Sequence, residues 1–330
     1  MGGARRIAIL SLLFPAGCFL YGADEPIAAE PPIDLPDASR DDTTVDASTD
    51  GGDSGTSIVV PTSCAPKAPF TKVAPVAEVN TPDDESFAHL STDELTLYLS
   101  RGNAVAVYTR PAKTDAFKGG AGLDVNGGNS SRVRVTDDTL RAYFDAYLGG
   151  GVNTTRMVSK SRPTTTAVWT EQGNRVFQLG APDGVPELDV FPLPDEKTIY
   201  FASERSGALT LWVTRKENDQ WQIPPIELQG LNTTAPAGDR NPVVAADESF
   251  LYFQSARVPG KPGQSLIWVA FQQGPSNTFG GVALAEGIDA PAGSNSFPVW
   301  LSPDSCRLYF ISNRTGGKGQ NDLWLASRTP

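Results

Sequence analysis

One pattern recurs five times along this chain and limits what it can fold into. An aspartate is followed five residues later by a tyrosine: Asp93 and Tyr98, Asp138 and Tyr143, Asp195 and Tyr200, Asp247 and Tyr252, Asp304 and Tyr309. Successive aspartates stand 45, 57, 52 and 57 residues apart. The flanks repeat as well. Alternate positions before the aspartate are mostly apolar (Ala88 and Leu90, Val133 and Val135, Val299 and Leu301), which is strand periodicity. The aspartate marks a turn, where its carboxylate accepts bonds from nearby backbone N–H groups. A second apolar run, Leu-Tyr-Phe or similar, follows it.

Each copy then continues. A third strand is expected at Ala106–Tyr108, Leu211–Val213, Ile267–Val269 and Leu323–Leu325, and a fourth begins near Phe70, Phe117, Phe177, Trp221 or Phe279. Four short strands per unit of ~40–50 residues describe a propeller blade. The expected fold is therefore all-β, a single β-propeller of four-stranded blades. Five repeats imply five blades. Extra strand-like material between Asp138 and Asp195 (Thr166–Trp169 and Arg175–Gln178) leaves six open. The last copy, Ser302-Pro303-Asp304 through Ser312-Asn313-Arg314 to Asp322-Leu323-Trp324, resembles the WD40-like repeat of TolB and its relatives, and the likeness runs over residues 70–328. That resemblance implies a propeller, commonly six-bladed in the TolB type, with protein partners in the cell envelope.

The phase of the repeat predicts how the ring closes. The chain ends just after a third strand and enters the fold with a fourth-type strand, Phe70–Val79. Pairing the two removes open sheet edges. The outer strand starts at the end of the blade that carries the first-to-second turn, where Cys306 lies two residues past Asp304. Cys64 lies six residues before Phe70. A Cys64–Cys306 disulfide is expected, consistent with an oxidising compartment.

The N-terminus reads as an export signal. Arg5 and Arg6 precede the apolar run Ile7–Phe14, and Pro15-Ala16-Gly17-Cys18 resembles a bacterial lipobox with Cys18 as the acylated residue. The expected organisation is a signal peptide over 1–18, an acidic disordered tether over 19–66 and the propeller over 67–330. Of the net charge of −11, Arg5 and Arg6 contribute +2 and residues 24–63 contribute −9, so residues 64–330 carry −4. A near-neutral folded part without a basic block argues against nucleic acid as a partner.

Candidate site residues are sparse. His89 is the single histidine, at a varied inner-strand position. Arg205, Arg257 and Arg314 recur in Ser-x-Arg segments and can form an anion-binding rim, and Trp300 is the best candidate for an exposed aromatic. No metal set or cofactor motif is present. The reading is an envelope-anchored scaffold that binds protein partners without catalysis, held at the membrane by its lipid. The alternative is a five-bladed glycoside hydrolase, with Asp145, Asp189 and Glu204 as candidate carboxylates, or a lectin-like carbohydrate binder.

Overall fold

The computed structural model describes residues 63–128, 130–148, 154–170, 179–233, 238–257, 263–274, 277–288 and 290–329. The expected export signal, Cys18 and most of the tether lie outside them, as do Phe177 and the Arg175–Gln178 segment. The described chain is all-β and forms a five-bladed propeller.

Strand β1 (Lys72–Pro75) precedes the first complete blade, β2 (Glu85–Leu90), β3 (Thr96–Arg101), β4 (Ala104–Thr109) and β5 (Lys118–Leu123). Blade 2 holds β6 (Ser131–Val135), β7 (Arg141–Leu148) and β8 (Thr154–Ser161). Blade 3 holds β9 (Glu187–Pro192), β10 (Thr198–Ser203), β11 (Thr210–Glu217), β12 (Gln220–Trp221) and β13 (Ile226–Glu227). Blade 4 is β14 (Asp239–Val244), β15 (Phe250–Ser255), β16 (Leu266–Gln272) and β17 (Phe279–Leu284). Blade 5 is β18 (Ser296–Leu301), β19 (Arg307–Ser312) and β20 (Asp322–Ser327), completed by β1.

Two departures from regularity have local causes. In blade 3, Pro224 and Pro225 split the fourth strand into β12 and β13, because proline cannot donate to a ladder. In blade 2 the fourth-strand position falls to Trp169-Thr170. Thr170 bridges Ser161, and the Arg162 guanidinium lies 4.3 Å from the Trp169 ring. The strand-like Thr166–Trp169 segment therefore belongs to blade 2 and builds no sixth blade.

The repeated aspartate works as its position foretold. In all five turns its Oδ1 accepts the backbone N–H two residues on, from Leu95, Leu140, Lys197, Ser249 and Cys306 at 2.8–3.0 Å. The residue between is left-handed in every copy: Glu94, Thr139, Glu196, Glu248 and Ser305, with φ of 52–64°. The Ser91 and Thr136 hydroxyls add a bond to the Asp93 and Asp138 carboxyls, and these interactions hold both below the usual carboxylate range.

The repeated tyrosines form the packing between blades. Tyr143, Tyr200, Tyr252 and Tyr309 are at most 1 % exposed. At two interfaces a tyrosine and an arginine of one blade reach the left-handed residue of the next, and at a third an arginine does so while the tyrosine is met by an arginine of that next blade. Tyr143 donates to Glu196 Oε2 at 2.6 Å, joined by Arg141 at 3.1 Å. Tyr200 and Arg215 do the same to Glu248. Arg307 grips both Glu94 oxygens at 2.7 Å, and Arg110 links Glu94 to the Tyr309 hydroxyl. Between blades 4 and 5 the N-terminal segment takes over. Tyr252 donates to Pro66 O, and Arg328 donates to Pro66, Ala68 and Ser305 carbonyls at 2.7–3.0 Å. Between blades 1 and 2 neither the acid nor the arginine is present: Thr139 stands at the left-handed position and Thr96 at the place of Arg141 and Arg307.

The ring closes as the phase predicts. β1 pairs antiparallel with β20, Val73 opposite Ala326, and Cys64 is bonded to Cys306 across 242 residues. Phe70 N–H also bonds Glu286 O, and the approach is so close that a Cβ on Gly287 would stand 1.9 Å from Phe70 O. Cys64 and Pro66, placed in the tether by sequence, make these closure contacts.

Candidate functional site

The start of each inner strand pairs with the end of the second strand, as in Ser131 opposite Asp145 and Glu187 opposite Ser203. One face of the ring therefore carries the entries to the inner strands and the second-to-third turns. The aspartate turns occupy the other face.

The recurrent arginines lie on the first face, and each is built into the scaffold. The Arg205 guanidinium lies 5.3 Å and 5.1 Å from the Phe201 and Trp212 rings and pairs with buried Glu187. Arg257 lies over Phe253 and Trp268 and pairs with Asp239 at 2.7 Å. Arg314 lies over Phe310 and Trp324 and bonds Ser296 Oγ at 3.2 Å. Each also donates to a carbonyl 26 residues earlier, Leu179, Leu231 or Ile288. Arg101 repeats the device in blade 1 with Glu85 and Val79 O. The expected anion-binding rim is thus a set of latches that fix the loop entering each blade.

His89 and Trp300 do not reach a rim. Trp300 is 6 % exposed and packs edge-on against Tyr309. His89 stacks on Tyr98, and its Nε2 lies 2.9 Å from Val135 O. Burial, with the Arg134 charge, lowers its pKa to about 3, so the ring is neutral and Nε2 carries the proton. Beside it, buried Arg134 spans the axis. It donates to Val190 O at 2.8 Å and Val299 O at 3.1 Å, with the Phe87 and Phe191 rings 4.8 Å and 4.5 Å away. This varied inner-strand position forms a plug rather than a binding surface.

The polar site sits two residues earlier on the inner strands. That position reads Phe87, Arg132, Asp189, Asn241 and Pro298 across the five blades. Every inner strand carries a register shift near it, and Arg132, Asp189 and Asn241 have φ of 51–61°. Such bulges re-aim side chains. In blades 2 to 4 they bring one ionic cluster together. Asp189 accepts from Nε and Nη2 of Arg240 at 3.1 Å and from the Asn241 N–H at 3.0 Å. Arg132 Nε stands 2.8 Å away as an ion pair without hydrogen-bond alignment. Asp145, on the second strand, accepts the Asp189 N–H at 2.9 Å and lies 3.8 Å from Arg132. Asn241 donates to Gln254 at 2.6 Å.

The two carboxylates are pushed apart electrically. Burial, reinforced by the charge of Asp189, raises the Asp145 pKa well above the usual range. Asp189 is equally buried, but its two arginines more than offset that and hold it ionised. Asp145 Oδ1 and Asn241 Oδ1 are buried without a hydrogen-bond partner. Arg132 and Arg240 keep about a quarter of their side-chain surface, 25 % and 26 %. Of the sequence candidates, the structure joins Asp145 with Asp189, whereas Glu204 is exposed on a turn outside the cluster. Sequence reasoning missed Arg132, Arg240, Asn241 and Gln254. The available signal was polarity in a column where strand periodicity calls for apolar residues.

No family model and no curated protein matches the chain. Several solved structures are similar to it at low identity. TolB of Acinetobacter baumannii is 16 % identical with a TM-score of 0.39, over 75 % of this chain and 55 % of that one, so the chain spans about half of that protein. An endo-arabinase of Bacteroides thetaiotaomicron is 13 % identical (TM-score 0.48), over 80 % of this chain and 98 % of that one. The β-xylosidase RS223 is 14 % identical (TM-score 0.48), over 78 % and 94 %. The propeller architecture stands on the strand order itself, and TolB proteins are among the structures it is similar to. The expectation that it lacks catalytic activity does not stand: enzymes such as these are among the similar structures, and a propeller by itself does not separate binders from catalysts.

Proposed function

We propose that this protein is an exported binding propeller that recognises a polar group of an envelope component at the channel mouth of blades 2 to 4. The carrying observation is the ionic cluster of Arg132, Asp145, Asp189, Arg240 and Asn241. It breaks the repeat, uses left-handed positions, and keeps two guanidinium groups partly open beside buried orphan acceptors. Backbone strain of this kind gathers where ligands bind. A ligand bearing both acceptors and donors, such as a carboxylated peptide or a glycan, complements that set. The disulfide fits an exported protein, and the proposal includes tethering through an acylated Cys18.

The test is capture from detergent-solubilised envelope by the full chain, beside an Arg132→Ala/Arg240→Ala variant. A protein or glycan retained by the wild type and lost from the variant is the expected result. Equal retention by both overturns the assignment of the site.

A second reading rests on the split carboxylates. Asp145, its pKa raised by burial, beside an Asp189 held ionised by two arginines is the arrangement that separates acid from base roles. Hydrolysis of aryl glycosides that Asp145→Asn abolishes is the result this reading requires.

A further inference from the structure

The blade 1–blade 2 interface is where the inter-blade lock is missing, and a cleft of about 370 Å³ opens there, on the face opposite the channel cluster. Asp93, Tyr98 and Asp137 line it with Ser91, Thr92, Thr96 and Thr139. Tyr98 is 6 % exposed, and its hydroxyl has no hydrogen-bond partner among the described residues. At the equivalent place Tyr143 and Tyr200 donate to glutamates, and Arg110 reaches Tyr309.

The repeat shows what is absent. In blade 5, Arg307 sits three residues after the turn aspartate and bridges Asp304 Oδ2 at 2.7 Å to Glu94 of the next blade. In blade 2, Arg141 holds the same position and reaches Glu196. In blade 1 the residue is Thr96, which carries no basic group. The acids remain: Asp93 matches Asp304, and Asp137 approaches from blade 2 to accept the Thr92 N–H at 2.8 Å. Neither has an ion-pair partner within 4 Å among the described residues. Nearby cations are engaged elsewhere. Lys113, whose charge reaches Asp93, pairs with Glu94 at 3.0 Å. Arg162 donates to Thr139 O and lies over Trp169.

We infer that this cleft is a receptor for an arginine side chain of a partner protein, whose guanidinium takes the place that Arg141 and Arg307 fill from within the chain. Asp93 and Asp137 supply the charge, the Tyr98 ring and the four threonine and serine residues frame the stem, and the planar fork suits carboxylates on two sides. The site is separate from the channel cluster, so failure of one reading leaves the other standing.

The probe is Nα-acetyl-L-arginine amide, titrated into the full chain and followed by isothermal calorimetry and backbone NMR shifts. Saturable binding with shifts confined to Ser91–Tyr98 and Thr136–Thr139, weakening with added salt, is expected. Asp137→Asn keeps the acceptor oxygen for Thr92 while removing the charge, and binding should fall about tenfold. Thr96→Arg supplies the missing group from within, so it should abolish binding and raise the melting temperature. Absence of saturable binding, unchanged affinity in Asp137→Asn, or Thr96→Arg that folds and still binds the probe overturns the proposal. Tighter binding of Nα-acetyl-L-glutamate amide at the same residues also overturns it.

Discussion

At the scale of the residue, burial decides which charges this protein can tolerate. His89 is neutral because its ring is enclosed beside Arg134. Its folded pKa of about 3 lies below the ordinary value, so between pH 6.5 and 3 the unfolded chain binds a proton that the folded chain refuses. Stability from this group is intact above pH 6.5 and falls with acidity, by up to ~1.4 kcal/mol per pH unit. His89→Gln keeps a donor for Val135 O and removes that titration. Its denaturant midpoint should therefore gain on the wild type between pH 7.5 and 4.5. Asp145 has the opposite sense. Its raised pKa means that stability declines as pH climbs from the carboxylate range toward neutrality, and Asp145→Asn should flatten that decline. Arg134→Met keeps the apolar stem but strips two buried carbonyls of their donor, so urea unfolding should show a loss of about 2–4 kcal/mol.

At the scale of the element, one blade shows how the repeat divides its work. The turn aspartate shapes the hairpin, the tyrosine locks the next blade, and the Ser-x-Arg arginine latches the incoming loop. Arg257→Met leaves Asp239, which is fully buried, without its cation at 2.7 Å. Chemical denaturation should register a loss of about 3–5 kcal/mol, since an uncompensated buried charge is costly. Arg257→Lys should recover only part of it, because a lysine cannot keep the fork between Phe253 and Trp268 while bonding Leu231 O.

At the scale of the whole molecule, the ring depends on its closure. The disulfide joins residues 242 positions apart and anchors the segment that replaces the missing lock between blades 4 and 5. Cutting it by Cys306→Ser should lower stability by about 5 kcal/mol on the chain-entropy model. Hydrogen exchange should then rise first in β1 and its partner β20, since Cys306 in the β18–β19 turn holds the segment that leads into β1, while blades 2 and 3 keep their protection. Uniform exchange across all blades would contradict this account of closure.

Much of the architecture was legible because repeats report themselves. Five Asp-to-Tyr units, their spacing and their phase specified the blades, the β1–β20 closure and the Cys64–Cys306 bridge, since each follows from local turn chemistry and the need to pair sheet edges. Blade 2 was less clear, because Trp169 replaces the usual aromatic at a shifted distance and mimicked part of an additional blade. The site was scarcely legible. Asp145 and Asp189 drew notice as acids outside the repeat, but their union with Arg132, Arg240 and Asn241 depends on bulges that turn side chains from three blades toward one point. The rim arginines were visible, and only packing revealed that each is sandwiched and paired within the scaffold. Sequence determined what each element does on its own backbone. Tertiary structure decided which side chains meet across blades, because burial and long-range proximity set their charge and their freedom to bind.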